Sequence, residues 1–329
     1  MPKGILERLS DGIVLGDGGY LLELERRGYV QAGPFVPEAS LTRPEALAGL
    51  HREFVDAGAE VIQTLTFYAT EDKLATVGLE GRVDDMNRAA VRIAREVAAG
   101  GDVLVAGNLS ETWGYDPEEP STHRHVREMF DMQLAVMTEE GVDFVIAETF
   151  LWVGEALIAA EAIRDAKLTG MVTMAFADEP VSYEGLSPGE CVRRLADAGV
   201  EITGVNCLRS PEHILPIMEE MRSAAPDSVH LASQPVAFHG PHAHPNFTAL
   251  PEFPFELEKI TLPRTPFGDF AVKARDLGFS YIGSCCGAVA CHVREMARAL
   301  GKVPAREREW RSQTGRPMSG LELHQPEGR

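Results

Sequence analysis

Five cysteines lie among the 329 residues: Cys191, Cys207, Cys285, Cys286 and Cys291. The count is odd, and the first eight residues already carry Glu7 and Arg8 where a signal peptide needs a continuous apolar stretch. A disulfide framework is therefore not expected. Thiols in such a chain are either buried as small apolar groups or used as ligands and nucleophiles. Cys207 ends the apolar run Gly-Val-Asn-Cys, and Cys285 and Cys286 end another, Gly283-Ser284-Cys285-Cys286-Gly287. Three thiolates with an open fourth position describe a soft catalytic zinc site. Its net charge of about −1 makes it poor at acidifying water and suited to keeping a substrate thiol nucleophilic. Consecutive cysteines on a regular strand point to opposite sides, so joint ligation needs a break in the strand, which Gly287 permits. The alternative that the Cys-Cys pair simply marks small buried residues stays open.

Other side chains offer weaker chemistry. Asp17, in Gly16-Asp17-Gly18-Gly19, could bind a substrate amine or belong to a plain strand-ending turn. The run is no dinucleotide fingerprint, because Tyr20-Leu21 stands where a third glycine is needed. Glu148 ends the nonpolar run Phe-Val-Ile-Ala-Glu, where a carboxylate pairs with a ligand cation or bonds to neighbouring backbone. His239, His242 and His244 could bind a metal, which would make the protein a barrel hydrolase using metal-bound water; solvated loop histidines are the simpler reading. His123 and His125 sit two apart on a helical pattern and diverge. Cys191 reads as core, Cys291 as structural.

The elements that must position these groups form a regular series. Apolar runs at 13–18, 61–67, 103–109, 144–149, 171–176, 202–207, 230–235 and 281–285 are continuous, as in parallel strands covered on both faces. Helical patterns fall at 44–57, 125–140, 154–166, 187–198, 211–224, 267–277 and 291–300. That at 187 opens with Ser187 as N-cap, Pro188 at the first position and Glu190 closing a capping box. The sum is a single (β/α)8 TIM barrel, with a doubly wound open sheet as runner-up. The barrel is expected to span 1–306 and a polar C-terminal tail or arm 307–329, while 237–265 reads as a long functional loop. The barrel rule places all three cysteines, Asp17 and Glu148 at one mouth. Charge closes off other functions. With 31 basic and 50 acidic residues, the net charge of −19 repels phosphates, so no nucleic-acid partner is expected. No run of about 18 apolar residues predicts a membrane span, and a cytoplasmic location is the expectation.

Gly16–Gly19, Gly204–Cys207 and Gly283–Gly287, in that order on a barrel, resemble the zinc-dependent homocysteine S-methyltransferases. KGILERL (3–9), HREF (51–54), TFYATEDKL (66–74), SPGEC (187–191), SQP (233–235) and LPEFPF (250–255) are similar to the betaine–homocysteine branch. The resemblance covers essentially the whole chain. It implies Zn²⁺ on Cys207, Cys285 and Cys286, and homocysteine near Asp17, Gly18, Thr64 and Glu148. It also implies an aromatic pocket for a quaternary ammonium or sulfonium methyl donor that takes in Tyr68, with Phe67 beside it. Phe35 stands where the branch has Trp, Thr149 where it has an aromatic residue, and Trp113 could rebuild the pocket from another side. The implied reaction is methyl transfer from glycine betaine, with S-methylmethionine or dimethylsulfoniopropionate as alternative donors. A homo-oligomer is expected.

Overall fold

The computed structural model describes residues 3–302; the expected tail at 307–329 and its boundary with the barrel lie outside them. Eight parallel strands follow one another round the mouth: β1 (Val14–Leu15), β2 (Val61–Gln63), β3 (Leu104–Ser110), β4 (Phe144–Phe150), β5 (Gly170–Met174), β6 (Ile202–Asn206), β7 (His230–Gln234) and β8 (Tyr281–Ile282). Each pairs with its neighbour from β2 to β8, and β8 pairs with β1. At the remaining seam the Glu60 N–H donates to Leu15 O at 2.8 Å and the Leu15 N–H to the Glu60 carboxylate at 2.9 Å. This near closure is a (β/α)8 barrel and excludes the open sheet.

Among the described residues, twelve helices surround the strands: α1 (Ile5–Asp11), α2 (Leu21–Arg26), α3 (Ala39–Thr42), α4 (Pro44–Ala57), α5 (Glu71–Ala75), α6 (Val83–Ala98), α7 (Pro120–Glu140), α8 (Val153–Asp165), α9 (Pro188–Asp197), α10 (Pro211–Ala224), α11 (Thr265–Asp276) and α12 (Ala290–Ala299). The expected ends of α4 and α10 match. The predicted capping box holds α9: the Glu190 N–H donates to Ser187 Oγ and the Ser187 N–H to the Glu190 carboxylate. Helix α6 is absent from the sequence pattern, because much of its buried face is the alanines Ala90 and Ala94, which read as weakly hydrophobic.

The barrel interior is layered by the two-residue period of a strand. Val61, Ala106, Ile146, Ile202, Ala232 and Tyr281 share one apolar cluster low in the barrel, which Ile5 and Leu9 of α1 join. Two residues further along the same strands stand Gln63, Asn108, Glu148 and Gln234, and Asn206 follows on β6. The inward face thus changes from apolar to polar toward the C-terminal mouth.

Candidate active site

Strands β1, β2 and β8 end earlier than their apolar runs, and that shortening builds the site. β8 stops at Ile282, so Cys285 and Cys286 lie on irregular backbone beyond it. Gly287 makes the break at φ 76°, and a Cβ there would stand 2.4 Å from the Phe238 ring. Cys207 follows β6 at φ 59°. The chain after β7 ties the three together. The Cys207 N–H donates to Gln234 O at 2.9 Å, the Cys285 N–H to Pro235 O at 2.8 Å, and the Ala237 N–H to Cys286 O at 2.8 Å. Gly19 presses on the same loop: a Cβ there would lie 2.8 Å from Cys285 O and 3.1 Å from Cys286 Cα. Any larger residue would push the loop away.

Sγ of Cys207 lies 3.6 Å from that of Cys286, which lies 4.0 Å from that of Cys285. All three sulfurs are within 4.8 Å of one another. Tetrahedral coordination at a Zn–S length of about 2.3 Å requires about 3.8 Å between sulfurs, so the trio fits a single soft cation. Contact with Cys285 and burial push the Cys207 thiol well up, and contact with Cys207 and burial do the same to Cys286. Three thiolates therefore need a cation among them.

One cleft is lined by these three cysteines together with Gly18, Thr64, Phe67, Asn108 and Glu148. Glu148 is 6% exposed and accepts from Asn108 Nδ2 at 2.7 Å, Asn206 Nδ2 at 3.0 Å and Gln234 Nε2 at 3.1 Å. Burial pushes its carboxyl up to about 7. Asp17 stands just behind the lining, fully buried, and reaches the cleft through Gln63. It accepts from the Tyr20 hydroxyl at 2.5 Å and from the Gln63 N–H at 2.7 Å, and burial raises it to about 6. The His51 Nδ1 contact to the Tyr20 oxygen, 2.9 Å, must then be donated by the imidazole, because the phenolic proton is committed to Asp17. Asn108 Nδ2 also donates to Gln63 Oε1 at 2.7 Å, so the two acids belong to one network. None of its hydrogen-bonding side chains is cationic. Two buried carboxyl groups supplied only by neutral donors suit an incoming ammonium.

The expected donor residues divide. Phe67 and Tyr68 have ring centroids 4.4 Å apart, and Tyr68 meets Trp113 edge-on at 5.3 Å. Phe35 instead packs against Phe253, 6.0 Å away. Lys73 intrudes on this corner, with Nζ 4.3 Å from the Tyr68 centroid and 3.2 Å from that of Trp113. Glu111 lies beneath, accepting from the Tyr68 hydroxyl at 2.9 Å. Backbone strain collects at this rim: Phe35, Tyr68, Trp113, Thr149, Cys207 and Leu208 all have φ between 50° and 69°. Such conformations persist where surrounding structure over-determines them.

His239 and His242 both pack against His213, with ring centroids at 6.2 Å and 5.0 Å, and His244 lies apart from them. His242 meets His213 at 3.1 Å and lies 3.6 Å from Glu212, while His244 lies 3.7 Å from Asp178. His123 bonds Asp116 O and His125 bonds Asp72, so they diverge as expected. Cys191 is core and Cys291 contacts His292. The sequence reading missed the amide layer of Gln63, Asn108, Asn206 and Gln234, and also Tyr20, His51, Lys73 and Glu111. No helix among the described residues is long and apolar enough to cross a membrane.

The profile of the homocysteine S-methyltransferase family matches residues 14–300. Betaine–homocysteine S-methyltransferase 1 of Bos taurus is 43% identical over 98% of this chain and 81% of its own length. The S-methylmethionine–homocysteine S-methyltransferase of Pongo abelii is 41% identical over 91% and 81%. The metallated homocysteine methyltransferase MmuM of Escherichia coli shares the fold, with a TM-score of 0.70 at 20% identity over 89% of this chain and 99% of its own. The chain belongs to the homocysteine S-methyltransferase family.

Proposed function

We propose that this enzyme transfers a methyl group from glycine betaine to the sulfur of homocysteine, giving methionine and dimethylglycine. The observation that carries the reading is three convergent thiols lining one cleft with the buried Glu148 and with Phe67, whose ring meets that of Tyr68. Cys207, Cys285 and Cys286 hold zinc. Bound there, zinc supplies a position that keeps the substrate thiol deprotonated and nucleophilic at neutral pH.

The protein's own residues do the rest. Glu148 pairs with the ammonium of homocysteine, and Asp17 adds its charge from behind Gln63. The amide layer fixes both carboxylates, so their orientation costs nothing at the moment of binding. Gly18 and Thr64 bring backbone against the amino-acid end. Phe67 and its neighbours exclude water from the reacting centre. The thiolate and onium charges cancel as the transition state forms, so a dry site favours the reaction. The sulfur lone pair forms the new S–C bond while the methyl–nitrogen bond breaks and its electrons return to nitrogen. Dimethylglycine leaves with a neutral nitrogen, and no general acid is required. Alignment of sulfur, methyl carbon and nitrogen supplies several further kcal/mol, of the order that proximity provides. A cytoplasmic, homo-oligomeric enzyme completes the reading.

The test is metal analysis joined to a donor screen. Purified protein should hold about one zinc per chain and form methionine and dimethylglycine from homocysteine and betaine. Methionine formed only from S-methylmethionine or dimethylsulfoniopropionate would overturn the choice of donor, consistent with the activity named for the Pongo abelii relative.

A further inference from the structure

The aromatic corner already contains a cation. Lys73, on α5, is 4% exposed, and its ammonium rests on the faces of Tyr68 and Trp113. Among the described residues it forms neither a hydrogen bond through Nζ nor an ion pair. The acid beside it does not neutralise it. Glu111 is 8% exposed, one of its oxygens is taken by Tyr68 and, at 3.4 Å, by Trp113 Nε1, and the other has no partner. Burial pushes the Glu111 carboxyl up to about 8 and the Lys73 ammonium down to about 8. Glu111 gives its bonded oxygen to Tyr68 and Trp113 and none to Nζ, so the corner holds a cation without a bonded counter-ion among the described residues.

Ring faces that already hold an ammonium are poor hosts for a second cation, because like charges a few Å apart repel in a poorly solvated site. The ammonium on them attracts an anion instead. The cleft that Phe67 shares with this corner has the opposite sign: it is lined by three thiols that bind metal as thiolates and by Glu148, with Asp17 behind the lining. A donor carrying both charges is thereby turned end to end.

We propose that Lys73 recognises the carboxylate of the methyl donor, selecting onium compounds that carry one and directing their onium carbon toward the three cysteines. The proposal rests on the donor reading given above. Trp113, itself 65% exposed, lies over the lysine, whose Nζ is 3.2 Å from the ring centroid. Tyr68 contacts both Lys73 and Glu111, and its ring lies 4.4 Å from that of Phe67, which lines the cleft with the cysteines.

The experiment measures donor binding and turnover separately, on metal-loaded protein with homocysteine present. Calorimetry compares glycine betaine with tetramethylammonium, which has the same cationic head and no carboxylate. The wild type should bind betaine at least about tenfold more tightly, as a charge-assisted contact implies. Lys73→Met should remove that preference, raise the betaine KM by a similar factor and leave the homocysteine KM unchanged; Lys73→Arg should restore most of it. Equal wild-type affinity for the two ligands, or no binding of either, overturns the role of Lys73. So does tighter betaine binding by Lys73→Met, which would make the lysine a plug. Should Lys73→Met not fold, the wild-type preference together with Lys73→Gln decides. Tight, carboxylate-dependent betaine binding without methyl transfer would instead defeat the proposed activity and leave the lysine's role standing.

Discussion

Glu148 and Glu111 are both buried glutamates at the barrel mouth, yet their surroundings set them to opposite tasks. Glu148 receives three amide donors across its two oxygens. Those bonds favour the carboxylate and partly offset burial, which leaves the group near 7, half ionised before any ligand arrives. Glu111 receives one good bond and one long one, keeps a bare oxygen and is held near 8. Burial is similar at the two positions; the supply of donors differs. An amide-laced carboxyl is ready to become an anion when an ammonium enters. A poorly supplied one stays neutral and leaves the neighbouring lysine to set the sign of the field.

The joint between the two ends is the thiol trio, so its loss should erase the contrast. Cys285→Ala is expected to lower metal content and methyl transfer together by more than about a hundredfold, since changes merely outside a ligand set already cost 10–100-fold. Metal analysis and activity on the same sample check this. Full activity in a metal-free variant would separate the chemistry from the cysteines altogether.

Glu148→Gln tests one end alone. An amide keeps the shape and removes the charge, so kcat/KM for homocysteine should fall roughly thirty- to hundredfold, as expected for a lost charge-assisted bond. The donor KM should move by less than about threefold. A variant that raised both constants alike would show that the ends are not independent.

How much of this could be read from the chain follows from what each feature asks of it. The cysteines were legible because thiols are rare and because Gly287 marks the break that lets two of them converge. Helix α9 was legible through its Ser187–Glu190 capping box. The amide layer was not, since a lone Asn or Gln within an apolar run resembles any strand terminus. Its signature is relational: Gln63, Asn108 and Gln234 each follow an apolar inward residue by two positions, on three different strands. Lys73 sits between Asp72 and Leu74 in an ordinary amphipathic turn, and only the fold brings Trp113 over it. The left-handed backbone at Tyr68, Trp113, Thr149 and Cys207 left no trace either, because none of these residue types favours it.

Acidity offers a finer probe of the amide-lined end. Binding an ammonium requires ionised acids, and the protons leave as pH rises through about 6 at Asp17 and about 7 at Glu148. At saturating donor, kcat/KM for homocysteine should therefore rise with pH up to about 7 and then level. Below that point it should lose about tenfold per unit for each acid that must ionise. Stability runs the other way. Both acids hold protons more tightly folded than unfolded, so their contribution is fully present below about pH 4 and is lost as pH rises through 6 to 7. Thermal melting of the ligand-free protein, compared with Asp17→Asn and Glu148→Gln, should show the variants less sensitive to pH across that window.

The smallest expected effect is at the other end. Because Glu111 is already mostly neutral at pH 7, Glu111→Gln replaces a protonated acid by an amide of nearly the same shape. The Tyr68 hydroxyl keeps an acceptor in the side-chain carbonyl, and the charge on Lys73 is untouched. The betaine KM should change by no more than about twofold at pH 7, against the far larger effect of the same substitution at Glu148. Above pH 8 the two proteins should separate, because the native glutamate then ionises, neutralises Lys73 and weakens donor binding while the glutamine variant cannot. Steady-state donor KM across pH 7 to 9, corrected for the titration of Lys73 itself with the Lys73→Arg background, would show this crossover. A large loss at pH 7 would mean instead that Glu111 works as an anion, and the contrast between the two glutamates would fail at its weaker member.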